Sequence, residues 1–60
     1  MDLTDWLARH ALQEYEGALR NEGFEDLDSI RELTEAELRE LGLKMAHAKR
    51  LLKALREEAN

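Results

Sequence analysis

The chain has no cysteine and no proline, and its 60 residues include only three glycines, one tryptophan, one tyrosine and one phenylalanine. Without cysteine there are no disulfide bonds, no thiolate metal ligands and no cysteine nucleophile. The absence of cysteine leaves the redox compartment open and is compatible with a reducing, intracellular setting. A cytoplasmic location is the expected one. The scarcity of aromatic residues leaves no alternation of basic and aromatic side chains on which nucleic acid bases could stack.

Residues that favour strands are also rare, with one isoleucine, two threonines and no valine. Alanine, leucine and long charged residues dominate, and this composition favours helices. No apolar run approaches the roughly 20 residues that a membrane span requires, and the acidic start Met-Asp-Leu-Thr-Asp-Trp is unlike a signal peptide. Apolar residues still make up 43 % of the chain. We therefore expect one folded domain over residues 1–60, of modest stability.

Short apolar periodicities predict three helices in the first half of the chain. The first begins at a cap formed by Asp2 or Thr4, whose side-chain oxygens can accept a backbone N–H. The first three helices are expected to end near residues 10–11, 22 and 32, and the second and third to begin near residues 12 and 26. Gly23 ends the second helix because glycine readily adopts the left-handed conformation of a helix stop.

Two helices with stronger signals follow. Thr34 and Glu37 fit a capping box at the start of a helix over about residues 35–41, and Gly42 ends it. A longer amphipathic helix over about residues 46–58 aligns one apolar face at i, i+3, i+4 and i+7. We therefore predict an all-α fold, a compact bundle in which four short helices pack on the longer C-terminal helix. The expected core comprises Trp6, Leu7, Leu12, Tyr15, Leu19, Leu27, Ile30, Leu33, Leu38, Leu41, Ala48, Leu51, Leu52 and Leu55.

Signals for catalysis are weak. His10 and His47 are not placed in the His-x-x-x-His or His-Glu-x-x-His spacing of a metal site. Ser29 lies among acidic residues in a predicted short helix, and not in the strand–turn–helix context of a nucleophile. We expect no enzymatic activity, no cofactor and no bound metal.

The charges are unevenly distributed along a chain of net charge -5. Residues 22–28 contain four acidic and no basic residues, whereas residues 44–56 contain five basic and no acidic residues. Each cluster can be simply a solvated surface, because exposed charges commonly contribute little stability. Alternatively, the two clusters are complementary faces of one module, and such faces support head-to-tail association between copies.

The order of these features resembles the sterile alpha motif (SAM) family. Trp6-Leu7, followed by Leu12, Tyr15 and Leu19, is similar to the opening of the family pattern. Gly23-Phe24 and the run Leu-Thr-Glu-Ala-Glu-Leu over residues 33–38 are similar to its middle, and residues 46–55 are similar to its end. The family often has Phe, Gly and Arg where this chain has Leu19, Ala46 and Ala48.

The resemblance implies a five-helix SAM bundle that associates with other SAM domains, with itself or with a different one. In the family, a mid-loop surface on the central helices docks on an end-helix surface at the start of the fifth helix. The implied acidic mid-loop surface comprises Glu22, Phe24, Glu25, Asp26 and Asp28. The implied basic end-helix surface comprises Lys44, Met45, His47, Lys49, Arg50 and Lys53. Phe24 and Met45 could instead belong to the core.

Two other functions stay open. Some SAM domains bind RNA hairpins through a basic face, but this chain is acidic overall, and phosphate contacts dominate such affinity. The chain could also be a monomeric scaffold, natural or engineered, whose interaction surfaces are silent. Membrane binding by the basic amphipathic helix is not expected, because the core of so small a domain needs the apolar face of that helix.

Overall fold

Five α-helices and one 3₁₀ turn form the part of the chain that the structure describes, which is residues 2–59 of a computed structural model, with side chains to residue 58. The elements are α1 (Leu3–Arg9), the 3₁₀ turn (Gln13–Tyr15), α2 (Glu16–Asn21), α3 (Leu27–Ile30), α4 (Glu35–Glu40) and α5 (Met45–Ala59). No strand occurs within these residues. The all-α, five-helix prediction is confirmed, and α5 extends one residue beyond its predicted range at each end.

The second helix is shorter than predicted, because its first turn is a 3₁₀ turn and α2 begins only at Glu16. The Tyr15 N–H donates to the Leu12 carbonyl at 3.0 Å, which is the i to i+3 bond of a 3₁₀ turn. Leu12 and Tyr15 are both buried. A 3₁₀ turn places residues i and i+3 on the same side, so the tighter turn directs both side chains into the core.

Side-chain caps hold the starts of two short helices. At α4, the Glu37 N–H donates to the Thr34 hydroxyl at 3.2 Å, and the Glu37 carboxylate accepts from the Thr34 N–H at 3.0 Å. An equivalent capping box starts α3, where Asp26 accepts from the Ser29 N–H at 2.8 Å. This box was not predicted from the sequence.

The predicted side-chain cap of α1 is wrong. The Asp2 side chain caps nothing, and Thr4 lies inside the helix, where its hydroxyl donates to Glu16 of α2.

Three helices end in the same backbone motif. A residue of positive φ is followed by a residue whose N–H donates to the carbonyl five residues earlier. The positive-φ residues are Ala11 (57°), Gly23 (94°) and Gly42 (109°). The following N–H groups, of Leu12, Phe24 and Leu43, donate to the carbonyls of Leu7, Leu19 and Leu38 at 2.8, 2.9 and 3.1 Å. The stops at Gly23 and Gly42 were predicted. The end of α1 was also expected near residues 10–11, but the positive φ of Ala11 was not.

The core lies between α5 and the shorter elements. Its buried side chains are Leu3, Trp6, Leu7, Leu12, Tyr15, Leu19, Ile30, Leu33, Leu38, Leu43, Ala48, Leu51, Ala54 and Leu55. Leu27, Leu41 and Leu52, predicted as core residues, are only half-buried at its edge, together with Phe24. No described helix combines the length and the apolar composition that spanning a bilayer requires.

Candidate functional site

Phe24 forms part of a shallow groove of about 320 Å³ between the end of α2 and α4. The turn after α2 positions Phe24, whose side chain is half-buried. The groove, which we call the acidic groove, is lined by Glu22, Phe24, Leu33, Glu37, Glu40 and Leu41. It therefore combines an apolar floor with three carboxylate side chains, an arrangement suited to a partner that presents an apolar residue beside cations.

Glu37 and Glu40 were not among the predicted interface residues. They lie three residues apart on α4, a spacing that places two side chains on the same side of a helix. Leu41 follows directly and lines the same groove. The spacing of these three residues is visible in the sequence. The packing of α4 beside the turn that carries Phe24 is not, and only that packing brings the carboxylates to the groove.

The other predicted acidic residues have partners within the domain. A Glu25 carboxylate oxygen lies 3.9 Å from Arg20 Nη1, and an Asp28 oxygen lies 3.2 Å from Arg31 Nη1. Asp26 caps α3, and the hydrogen bond from the Ser29 backbone N–H lowers the pKa of the Asp26 carboxyl below its ordinary value. Of the acidic mid-loop surface, only Glu22 and Phe24 line the groove.

At the start of α5, the basic end-helix surface presents an apolar side chain to solvent. Met45 is 49 % exposed and is the only exposed large hydrophobic residue in the described region. The alternative of a core position for Met45 is therefore wrong. Lys44 directly precedes Met45, and Lys49 lies four residues after it. Both are exposed, and no lysine takes part in an ion pair within residues 2–59. Lys53 is also exposed, about 12 Å farther along the helix axis than Met45.

His47 and Arg50 contact other parts of the domain. The Tyr15 hydroxyl is hydrogen-bonded to His47 Nδ1, and the two rings lie 5.4 Å apart between centroids. Arg50 Nη1 donates to the His10 carbonyl at 3.3 Å, at the end of α1. These two contacts attach the first turns of α5 to the 3₁₀ turn and to α1. They fix the position from which Met45 and its neighbouring lysines project.

No aromatic side chain accompanies the basic end-helix surface on the outside of the molecule. Trp6 and Tyr15 are buried, and Phe24 lies in the acidic groove. Within the described residues, no group of three histidine, aspartate or glutamate side chains is arranged to hold a metal ion.

Comparisons with known proteins agree with these features. The family model of the SAM domain (sterile alpha motif) matches residues 1–57. The chain is 42 % identical to Caskin-2 of Xenopus laevis over 53 residues and 38 % identical to phosphatidylinositol 3,4,5-trisphosphate 5-phosphatase 2A of Danio rerio over 55 residues. It is 36 % identical to Caskin-1 of Rattus norvegicus over 59 residues. These matches cover 87, 90 and 97 % of this chain but only 4 % of each relative. No solved structure matches.

Proposed function

Because the chain belongs to the sterile alpha motif family, whose domains are generally protein–protein interaction modules, we propose that it binds other SAM domains, including further copies of itself, in a head-to-tail arrangement. The groove beside Phe24 on one copy receives the start of α5 of the next. One observation carries this proposal: the same molecule has an acidic groove with an apolar floor and an exposed methionine near lysines that make no ion pair within residues 2–59.

The apolar part of the contact is supported by the side chains at its proposed centre. Met45 would leave water by packing on the groove floor of Phe24, Leu33 and Leu41. Full burial of a methionine side chain contributes about 1.5–3 kcal/mol. In protein interfaces, a central apolar residue with a charged rim is the usual source of affinity.

The polar part is supported by the charges at the rim. Glu22, Glu37 and Glu40 line the groove, and one Glu37 carboxylate oxygen also accepts from Thr34 in the cap of α4. Lys44 directly precedes Met45, and Lys49 lies four residues after it on the same side of α5. Opposite charges at a rim accelerate encounter and set the register of the two partners more than they add affinity. The two surfaces consist of different residues, so the contact is heterologous. It builds an open helical polymer if the rotation between copies does not close a ring.

Sedimentation velocity across protein and salt concentration tests the proposal. We expect the wild-type chain to grow in size with concentration. Lys49→Glu reverses a charge of the basic end-helix surface and Glu22→Lys reverses a charge of the acidic groove. Each places like charges opposite each other at the contact, so each variant should stay monomeric. Their mixture should form only a dimer, through the one intact pair of surfaces. Glu22 is preferable to Asp26 for this purpose, because the Asp26 carboxylate caps α3 and its replacement would also weaken that helix.

Two variants with the same changes of charge serve as controls, namely Arg39→Glu and Glu57→Lys, both at exposed positions outside the two surfaces. They should associate like the wild type, and circular dichroism should give the same helix content for all five proteins. A wild-type chain that stays monomeric at millimolar concentration and low salt would contradict self-association and leave binding to a different SAM domain. Binding of an RNA hairpin at low-micromolar concentration and physiological salt would favour the nucleic acid function instead.

A further inference from the structure

A second groove, which we call the arginine groove, lies between the end of α3 and the second half of α5. Its volume is about 330 Å³, and it is lined by Arg31, Leu52, Leu55 and Arg56. None of these residues belongs to the acidic groove or to the basic end-helix surface. Arg31 directly follows α3, and Leu52 and Arg56 are four residues apart on α5, so their side chains are neighbours on that helix.

The floor of the arginine groove is apolar and its surroundings are basic. Leu55 is buried at 5 % exposure, whereas Leu52 is half-buried and so reaches the surface. On α5, the exposed side chains that neighbour Leu52 are Lys49 and Arg56, three and four residues away, and residues 44–56 contain no acid. A partly exposed leucine surrounded by cations is complementary to an apolar side chain flanked by carboxylates.

The guanidinium groups of Arg31 and Arg56 both have N–H donors that are available to a ligand. Arg31 is 41 % exposed in its side chain, and Nη1 donates to Asp28 at 3.2 Å. A guanidinium has five N–H donors, so this bond leaves most of them available. Arg56 is exposed and takes part in no ion pair within the described residues. The planar guanidinium fork matches the two oxygens of a carboxylate, which favours a carboxylate as the bound anion.

From this arrangement we propose that the arginine groove binds an acidic peptide segment. One aliphatic side chain of the peptide packs on Leu52 and Leu55, while carboxylates on either side of it bind Arg31 and Arg56. The apolar floor distinguishes this ligand from nucleic acid, because a sugar–phosphate backbone has no aliphatic side chain to place there and no aromatic residue lines the groove for base stacking. The four residues that line this groove are not among those of the head-to-tail contact, and the interaction does not depend on that contact.

The probe is a blocked pentapeptide with leucine at the centre and two aspartates on each side, titrated into the ¹⁵N-labelled chain and followed by NMR. We expect a dissociation constant of about 0.1–1 mM. The largest amide shifts should occur at Arg31, Leu52, Leu55 and Arg56. Arg56→Gln should weaken binding about fivefold, and the double variant Arg31→Gln and Arg56→Gln about twentyfold. These arginines are exposed, so the variants should keep the fold, which the NMR spectrum itself reports.

Two matched controls separate the groove from general attraction between charges. Lys44→Gln removes one positive charge outside the groove and should change affinity less than twofold. A peptide with serine in place of leucine keeps all four carboxylates and should bind about tenfold more weakly, because it cannot use the apolar floor.

Several results would overturn the proposal. One is the absence of binding at about 5 mM peptide. Another is equal loss of affinity in Lys44→Gln and in the double arginine variant, or equal binding of the leucine and serine peptides. The same variants are also tested with an RNA hairpin and with vesicles of phosphatidylcholine and phosphatidylserine. If the two arginines matter more for either of these than for the peptide, the groove recognises phosphate and the acidic peptide is rejected.

Discussion

Ala11 is the only residue other than glycine with a positive φ in the described chain, and it ends α1 in a left-handed conformation at φ 57°. This conformation brings the Cβ of an L-residue close to its own backbone and costs roughly 1–2 kcal/mol relative to the right-handed region. Glycine has no Cβ, so we expect Ala11→Gly to raise the free energy of unfolding by about 1 kcal/mol. In a domain of this size that corresponds to an increase in Tm of about 4–8 °C.

The matched control for Ala11→Gly is Ala8→Gly, which makes the same chemical change at an exposed position inside α1. There φ is helical, and glycine should lower the free energy of unfolding by about 1 kcal/mol. Urea denaturation of the three proteins measures both effects. Two changes of the same sign would contradict the argument, because the local backbone conformation would then not decide the outcome.

Asp26 couples the stability of α3 to pH. The Ser29 backbone N–H donates to the ionised carboxylate, which holds the pKa of Asp26 below its usual value near 3.8. A carboxyl group whose pKa is lowered by folding stabilises the native state above its unfolded pKa, and this contribution disappears as the pH falls through the folded pKa. In the variant Asp26→Asn, the side-chain amide oxygen would still accept the hydrogen bond, but the side chain would not titrate.

We therefore expect the wild type to be more stable than Asp26→Asn at neutral pH, and the difference to shrink below about pH 4. Urea denaturation at a series of pH values measures it. Glu16 also has a lowered pKa, because it accepts hydrogen bonds from Thr4 and Arg20, but it is unchanged in the variant and cancels in the comparison. A difference that stays constant down to about pH 2 would show that ionisation of Asp26 does not stabilise the fold.

At the scale of the helix, α4 depends on its start, because it has only six residues and isolated helices of that length are not stable. Thr34→Ala removes the hydroxyl that accepts from the Glu37 N–H. We expect the free energy of unfolding to fall by about 1 kcal/mol. Thr34→Ser keeps the hydroxyl and should change stability by less than about 0.5 kcal/mol. If the alanine variant matched the wild type, packing of Leu38 alone would hold the helix.

The sequence predicts α4 well because both of its ends carry local chemistry. Thr34, Glu37 and Gly42 bound α4 by capping and by backbone freedom, both of which depend on neighbours in the chain. The second helix was predicted too long because the same residues, Leu12 and Tyr15, can face the core from a 3₁₀ turn or from an α-helix. The choice is made by packing against distant parts of the chain, which the periodicity of a short segment does not contain.

At the scale of the whole molecule, the sequence indicated the signs of the two surfaces but not which side chains are engaged within the domain. The basic cluster of residues 44–56 is contiguous in sequence, but Arg50 of this cluster bonds to a carbonyl 40 residues away, and His47 contacts Tyr15 across 32 residues. Conversely, Glu37 and Glu40 join Glu22 at a groove formed by elements that are separate in sequence. In both cases, contacts between residues far apart in the sequence decide which charged side chains are engaged within the domain and which reach a surface.

The proposed head-to-tail contact combines two forces that salt affects differently, and this difference provides its sharpest test. Raising salt from about 0.05 to 0.5 M shortens the screening length to about 4 Å and weakens the pairing of lysines with the acidic rim, whereas apolar burial is not weakened by salt.

We expect Lys49→Gln to lower the association constant at low salt, with little difference from the wild type at high salt. Met45→Ser should lower it about tenfold or more at both salt concentrations. Sedimentation equilibrium of the three proteins measures these constants. Equal salt dependence of the two variants would contradict a contact in which Met45 is the apolar centre and Lys49 belongs to the charged rim.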